Sequence, residues 1–220
     1  MCFSPGADLV AGVVVTAVGI DTVRHAGHQR EAPLAVLPLV FGLHQLIEVP
    51  VWWGSGGGAG HNLAGGAALL YLAIAFGLLP WAVPLAVRHL EPDRTRRAVM
   101  AMLGLIGLAV AIALMVPTVA GPITVTDMVN HLDYSVPLSY GGQLTALYVV
   151  ATCGALLLSS DRVVAVYGAV NLAVVATLAV LLATGVISLW CVWAAVSSVA
   201  IAVHLRRRHV VDRRPVTNPV

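Results

Sequence analysis

The chain has 220 residues, 59% of them hydrophobic and 10% charged, with a mean hydropathy of +0.92, a balance that excludes a water-soluble domain of this size. Its formal net charge of +2 comes from 12 basic residues, all arginine, against 10 acidic ones. Those arginines lie in short segments between apolar runs, where the natural neighbour is anionic lipid, so no nucleic-acid partner is expected.

A hydrocarbon core about 30 Å thick needs about 20 apolar residues per helix. Runs at 6–23, 33–53, 63–87, 98–117, 141–159, 163–183 and 185–205 meet that requirement. They predict an all-α polytopic membrane protein, a bundle of seven transmembrane helices in one domain over residues 1–205, with a basic tail at 206–220. The runs are continuous rather than alternating, which argues against a β-barrel. Met1 to Ala7 carries no basic residue and no cleavage motif follows, so a removable signal peptide is not expected. Arg24 and Arg30, Arg88 to Arg97, Arg162, and Arg206 to Arg214 all fall on one side of the seven runs. The positive-inside rule makes that side cytoplasmic, with the N-terminus outside and the C-terminus inside a multi-pass protein of the cytoplasmic membrane.

In chain order, Asp8 stands at the outer mouth of the first run, and Asp21 at its inner end is expected to pair with Arg24. The second run carries the strongest signal, His44 and Glu48 at i and i+4 on one helix face. A charged group at mid-bilayer costs at least about 2.5 kcal/mol, so it needs a partner, a cavity or a function. Phe41 and Trp52 extend the stripe, and Gln45 flanks it. With about 1.5 Å of rise per residue, Glu48 lies about 9 Å and His44 about 15 Å below the outer end at Gly54. Pro80 and Pro84 loosen the third run.

The one long outer connection, residues 117–143, is of the length that usually serves a site or a lid. Thr126 to Leu132 is expected to form a short helix placing Asp127 and His131 together at i, i+4. Tyr71, Tyr148 in the fifth run, Tyr167 and Asn171 are all expected to face the interior and are read first as structural hydrogen-bonding groups. Trp190, Trp193 and Ser197 share a face of the seventh run, at i, i+3 and i+7. Cys2, Cys153 and Cys191 form no disulfide framework.

The opening Met1-Cys2-Phe3-Ser4 and the segment Phe41-Gly42-Leu43-His44-Gln45-Leu46-Ile47-Glu48 resemble a group of small actinobacterial seven-span membrane proteins of unknown function. A more distant, architectural resemblance is to integral-membrane terpene cyclases, which are similar in length and in an acid on the second span. That likeness implies cyclisation of an isoprenoid, with a prenyltransferase and an epoxidase as upstream partners. The seventh run lacks the lysine that a retinal Schiff base needs.

Chemistry narrows the reading independently. Ionising a diphosphate calls for clustered aspartates, and no two acidic residues are adjacent. Protonating an alkene or epoxide needs instead one carboxylic acid held neutral by burial, aromatic faces for the cation, and a terminal base. Glu48 is the expected acid, His44 or Asp127 the base or relay. Phe41, Gln45, Trp52, Tyr148, Trp190 and Trp193 are the expected walls around a lipid-soluble substrate arriving from the bilayer. No cofactor is expected. Two alternatives remain: a zinc or copper site of redox or hydrolytic function held by Cys2, His44, Glu48 and His131, and a non-enzymatic subunit, sensor or proton-coupled carrier.

Overall fold

The structure, a computed structural model, describes residues 4–55, 61–128, 131–181 and 186–212, with side chains at 4–54, 64–128, 132–177, 193 and 195–207. Its helices are α1 (Pro5–Arg24), α2 (Ala32–Ser55), α3 (His61–Leu72), α4 (Leu79–Leu90), α5 (Arg94–Ala120), α6 (Gly141–Leu157), α7 (Arg162–Leu181) and α8 (Val186–Asp212). A π-helical turn, Ala73–Leu78, fuses α3 and α4 into one rod. The described residues thus form seven rods, matching the seven apolar runs to within a few residues at most ends. The exception is α8, which continues to Asp212 and takes the first basic cluster into the helix.

Among the described residues four rods are long and apolar enough to cross a membrane: Pro5–Arg24, Ala32–Gly54, Ala64–Leu90 and Arg94–Ala120. Their outer faces are bare hydrocarbon. Val10, Val13 and Val14 on α1 and Leu105, Ile112, Val116 and Val119 on α5 are all exposed, a surface stable in lipid and aggregating in water. Gly141–Leu157 and Arg162–Thr177 are shorter apolar helices.

Helix ends are set by local chemistry. Ser4 caps α1 by accepting the Ala7 N–H at 3.2 Å, with Pro5 behind it, and Asp93 caps α5 through the Arg96 N–H at 2.8 Å. The fused rod bends its hydrogen bonding around Pro80. The Leu79 N–H bonds the Ile74 carbonyl five residues back, and the next such bond, from position 80 to Ala75, is impossible because proline has no N–H. Tyr148 of α6 donates its hydroxyl to the Ala75 carbonyl at 3.0 Å instead. A neighbouring helix therefore satisfies the group that Pro80 leaves open.

The α1–α2 pair is packed backbone to backbone. A Cβ at Gly19 would lie 2.4 Å from the Leu39 nitrogen, and one at Gly42 would lie 2.4 Å from the Thr16 nitrogen. Small residues at such a seam let van der Waals packing hold helices together in lipid. The antiparallel pairing brings the first turn of α1 beside the last turns of α2.

At the opposite end, which carries the arginines, ion pairs and caps tie the rods. Asp21 pairs with Arg206 of α8 and lies 3.3 Å from His25; the expected pairing with Arg24 gives way to these partners. His204 of α8 lies 3.0 Å from Asp161, which also caps α7 through the Val163 N–H at 2.9 Å. Buried Glu91 accepts the Ser160 N–H at 2.7 Å, the Ser160 hydroxyl at 2.5 Å and the Asp93 N–H at 3.1 Å.

The connection between α5 and α6 differs from the expected short helix. It forms a two-stranded antiparallel ribbon, β1 (Thr124–Met128) and β2 (His131–Ser135), with Asp127 opposite Leu132 and Met128 opposite His131. The physical reason is period-two alternation: Leu132 and Tyr134 are both buried against Val51, Ala68, Tyr71 and Leu72, with Ile123, Val125 and Val136 packed beside them. A helix would have turned half of these residues away from the bundle.

Candidate functional site: a buried acid and aromatic cluster beneath the ribbon

Four elements converge under the ribbon. From α2 come His44, Gln45 and Glu48, all buried, with Glu48 at 0% exposure, and half-buried Trp52. From α3 comes Tyr71, also fully buried, from β2 Tyr134, and from α1 Asp8 at 1% exposure. The spacing of His44, Glu48 and Trp52, one helical turn apart, directs all three to one side of α2, and the Gly19 and Gly42 contacts hold α1 near enough for Asp8 to join them.

The contacts are specific. Tyr134 donates its hydroxyl to Glu48 Oε1 at 3.2 Å, and the Trp52 indole N–H donates to Asp8 Oδ2 at 2.7 Å. The imidazole of His44 stacks on the Tyr71 ring at 3.9 Å between centroids, and Tyr71 stacks on Tyr134 at 4.7 Å. The result is a three-ring pile whose last hydroxyl touches the buried carboxyl. His44 Nδ1 is buried and has no hydrogen-bond partner among the described residues. An imidazole held by its face, with a ring nitrogen open, is chemically available as a base or a ligand.

A second polar group lies apart from the first. Phe41, Tyr148 and Trp193, which the stripe reading placed in one cavity with His44 and Glu48, line instead a hollow of about 50 Å³ among α2, α4, α6, α7 and α8. Trp193 donates its indole N–H to Asn171 Oδ1 at 2.6 Å, Tyr167 its hydroxyl to Ser197 at 2.6 Å, and Asn171 its Nδ2 to Cys153 Sγ at 3.3 Å. The structural hydrogen bonding expected of Tyr148, Tyr167 and Asn171 is present. A hollow of this size holds a few waters; a cavity admitting benzene measures about 150 Å³.

The remaining predicted residues fall as follows. Asp127 is exposed on β1. Cys2 lies outside the described residues, as do the side chains of His131, Trp190 and Cys191. Among the described residues no three His, Cys, Asp or Glu side chains converge as metal ligands. Tyr134 is the site residue that sequence reasoning passed over, its signal being the alternation Leu132, Tyr134, Val136. Tyr71, read from the sequence as a structural hydrogen-bonding group, enters the site by stacking between His44 and Tyr134.

Apolar rods enclosing a buried acid and aromatic cluster define a helical membrane protein with an internal polar centre. The chain belongs to a family of unknown function, DUF6629, whose model matches residues 1–216. No curated protein and no solved structure matches it. Membership accords with the resemblance to membrane proteins of unknown function carried by the opening tetrapeptide and the segment from Phe41 to Glu48; the likeness to terpene cyclases receives no support from the comparisons.

Proposed function

We propose that the protein is a seven-span enzyme of the cytoplasmic membrane, ribbon end outside, in which Glu48 transfers a proton to a lipid-soluble unsaturated substrate. Proton-initiated cyclisation of an isoprenoid is the reaction class. The observation that carries the reading is a carboxyl with no solvent exposure, met by a phenol at 3.2 Å, one turn from an imidazole whose Nδ1 is buried and open.

In the forward step the Glu48 O–H bond breaks, and either the π pair of an alkene forms a C–H bond or an epoxide oxygen gains the proton as its C–O bond breaks, leaving a carbocation and a carboxylate. The Tyr134 hydroxyl stabilises that carboxylate. The Tyr134 ring at the end of the pile and the Trp52 indole offer π faces to the cation, and His44 Nδ1 takes the proton lost when the final alkene forms and returns it to the Glu48 carboxylate. The hollow beside Phe41 lies one helical turn from His44. At about 50 Å³ it must widen to seat an isoprenoid, so turnover requires the helices around it to part.

The test is purified protein in lipid supplied with isoprenols and their epoxides, with products read by gas chromatography and mass spectrometry. Glu48→Gln is expected to fold yet abolish turnover, Glu48→Asp to retain a little, and His44→Phe to slow the reaction. Full activity in Glu48→Gln ends the proposal.

One observation favours a second reading. The polar and stacking contacts of the cluster join α2 to α1, α3 and β2, which suits a lock fastening the ribbon onto a non-enzymatic membrane subunit. On that reading no substrate turns over, and Glu48 substitutions act on stability alone.

A further inference from the structure

At the arginine end, Arg30, Arg88, His89, Arg94, Arg97 and Ala98 line an open hollow of about 560 Å³. The segment before α2 supplies Arg30, the last turn of α4 supplies Arg88 and His89, and the first turns of α5 supply the rest. No carboxylate lines the hollow. The two acids in the α4–α5 turn are engaged elsewhere, Glu91 by Ser160 and Asp93 by the Arg96 N–H. Among the described residues Arg30, Arg88, Arg94 and Arg97 make no ion pair, and Arg88 is instead held in place by donating its Nε–H to the Arg97 carbonyl at 3.3 Å.

Four guanidinium groups around one hollow repel one another unless an anion joins them, and their planar forks match phosphate oxygens. The surface beside the hollow says which phosphate. Along α5, Ala98 is followed at i+4 and i+7 by Met102 and Leu105, 64% and 66% exposed; along α4, His89 is preceded at i−4 by exposed Leu85. Bare apolar side chains therefore lead from the rim along both helices, a place for acyl chains that a soluble phosphate would not use.

We propose that this hollow binds the phosphate of an anionic phospholipid headgroup, with the acyl chains lying along Leu85 and along Met102 and Leu105. The site is independent of the Glu48 cluster at the other end. Arginines near a membrane surface each contribute about a factor of five in affinity for anionic lipid, so removing two weakens binding about thirtyfold.

The experiment compares full-length protein in detergent with added phosphatidylglycerol, phosphatidylcholine or inorganic phosphate, reading melting temperature and lipid retention by native mass spectrometry. Phosphatidylglycerol is expected to raise the melting temperature and remain bound. Arg94→Gln/Arg97→Gln is expected to lose both effects, while Arg162→Gln/Arg207→Gln, with the same net charge and outside the hollow, keeps them. Should the first pair fail to fold, Arg30→Gln alone is expected to weaken retention about fivefold. Equal loss in both double variants, or no preference for phosphatidylglycerol over phosphatidylcholine, overturns the site. Equal protection by inorganic phosphate overturns its assignment to lipid.

Discussion

Tyr134→Phe removes one oxygen from the centre of the cluster and leaves the ring stack on Tyr71 in place, so its effect isolates the hydrogen bond to Glu48. The bond is 3.2 Å long, buried, and joins the ribbon to α2. Its strength depends on the carboxyl. Side-chain hydrogen bonds between membrane helices couple by about 0.6 kcal/mol on average and about 1.7 at most, whereas bonds to a charged group contribute about 1.5 to 3 kcal/mol. A proton-donating Glu48 is neutral at rest, so the expected coupling is about 0.6 to 1.7 kcal/mol. The assay is unfolding by SDS from bicelles for wild type, Tyr134→Phe, Glu48→Leu and the double variant, with the coupling taken as the departure from additivity. Additivity to within about 0.3 kcal/mol refutes the bond; a coupling near 3 kcal/mol refutes the neutral acid.

The remaining predictions reach the rest of the structure. Gly42→Ala forces a Cβ against the Thr16 backbone and is expected to destabilise by about 1 to 3 kcal/mol, while Gly66→Ala, which meets nothing within 4 Å, is expected to be neutral or stabilising by about 0.4 to 1 kcal/mol. Trp52→Phe, deleting the N–H donated to Asp8, is expected to cost about 1 kcal/mol in the same unfolding assay. Burial raises the Glu91 carboxyl, but the hydrogen bonds from Ser160 and Asp93 and the charge of Arg96 outweigh it and hold the group below the usual glutamate value of 4.5. The stability this gives is complete above about 4.5 and lost as pH falls through the depressed folded value. Wild type should therefore lose stability over that acid range more steeply than Glu91→Gln, and parallel curves would show that the network contributes nothing. Reporter fusions after Pro122 should read outside and after Arg94 inside; the reverse would invert the orientation.

How much of this was legible in the sequence follows from which forces act locally. The rods were readable because apolar runs and arginine punctuation are properties of each segment alone, and the His44 and Glu48 face was readable because helical spacing fixes it. The ribbon was not read, since Thr126, Asp127 and His131 drew attention to an i, i+4 pairing while Leu132, Tyr134 and Val136 carried the period-two pattern. The split between two polar groups was hidden for a different reason. A stripe from Phe41 to Trp52 spans about 16 Å of helix, long enough to meet different neighbours at different depths: Phe41 meets the hollow among α4, α6, α7 and α8, and Glu48 meets β2. Nor does spacing reveal tertiary partners such as Tyr148 beneath the carbonyl that Pro80 leaves open, or Arg206 against Asp21.

The central claim is that Glu48 rests as a buried, neutral acid able to give up its proton. Infrared spectroscopy of the protein in lipid at neutral pH reads this directly, because a carboxylic acid shows a carbonyl stretch that a carboxylate lacks. The account predicts an acid band that disappears in Glu48→Gln, persists in Asp127→Asn and shifts in Tyr134→Phe. Identical acid-region spectra for wild type and Glu48→Gln would contradict it.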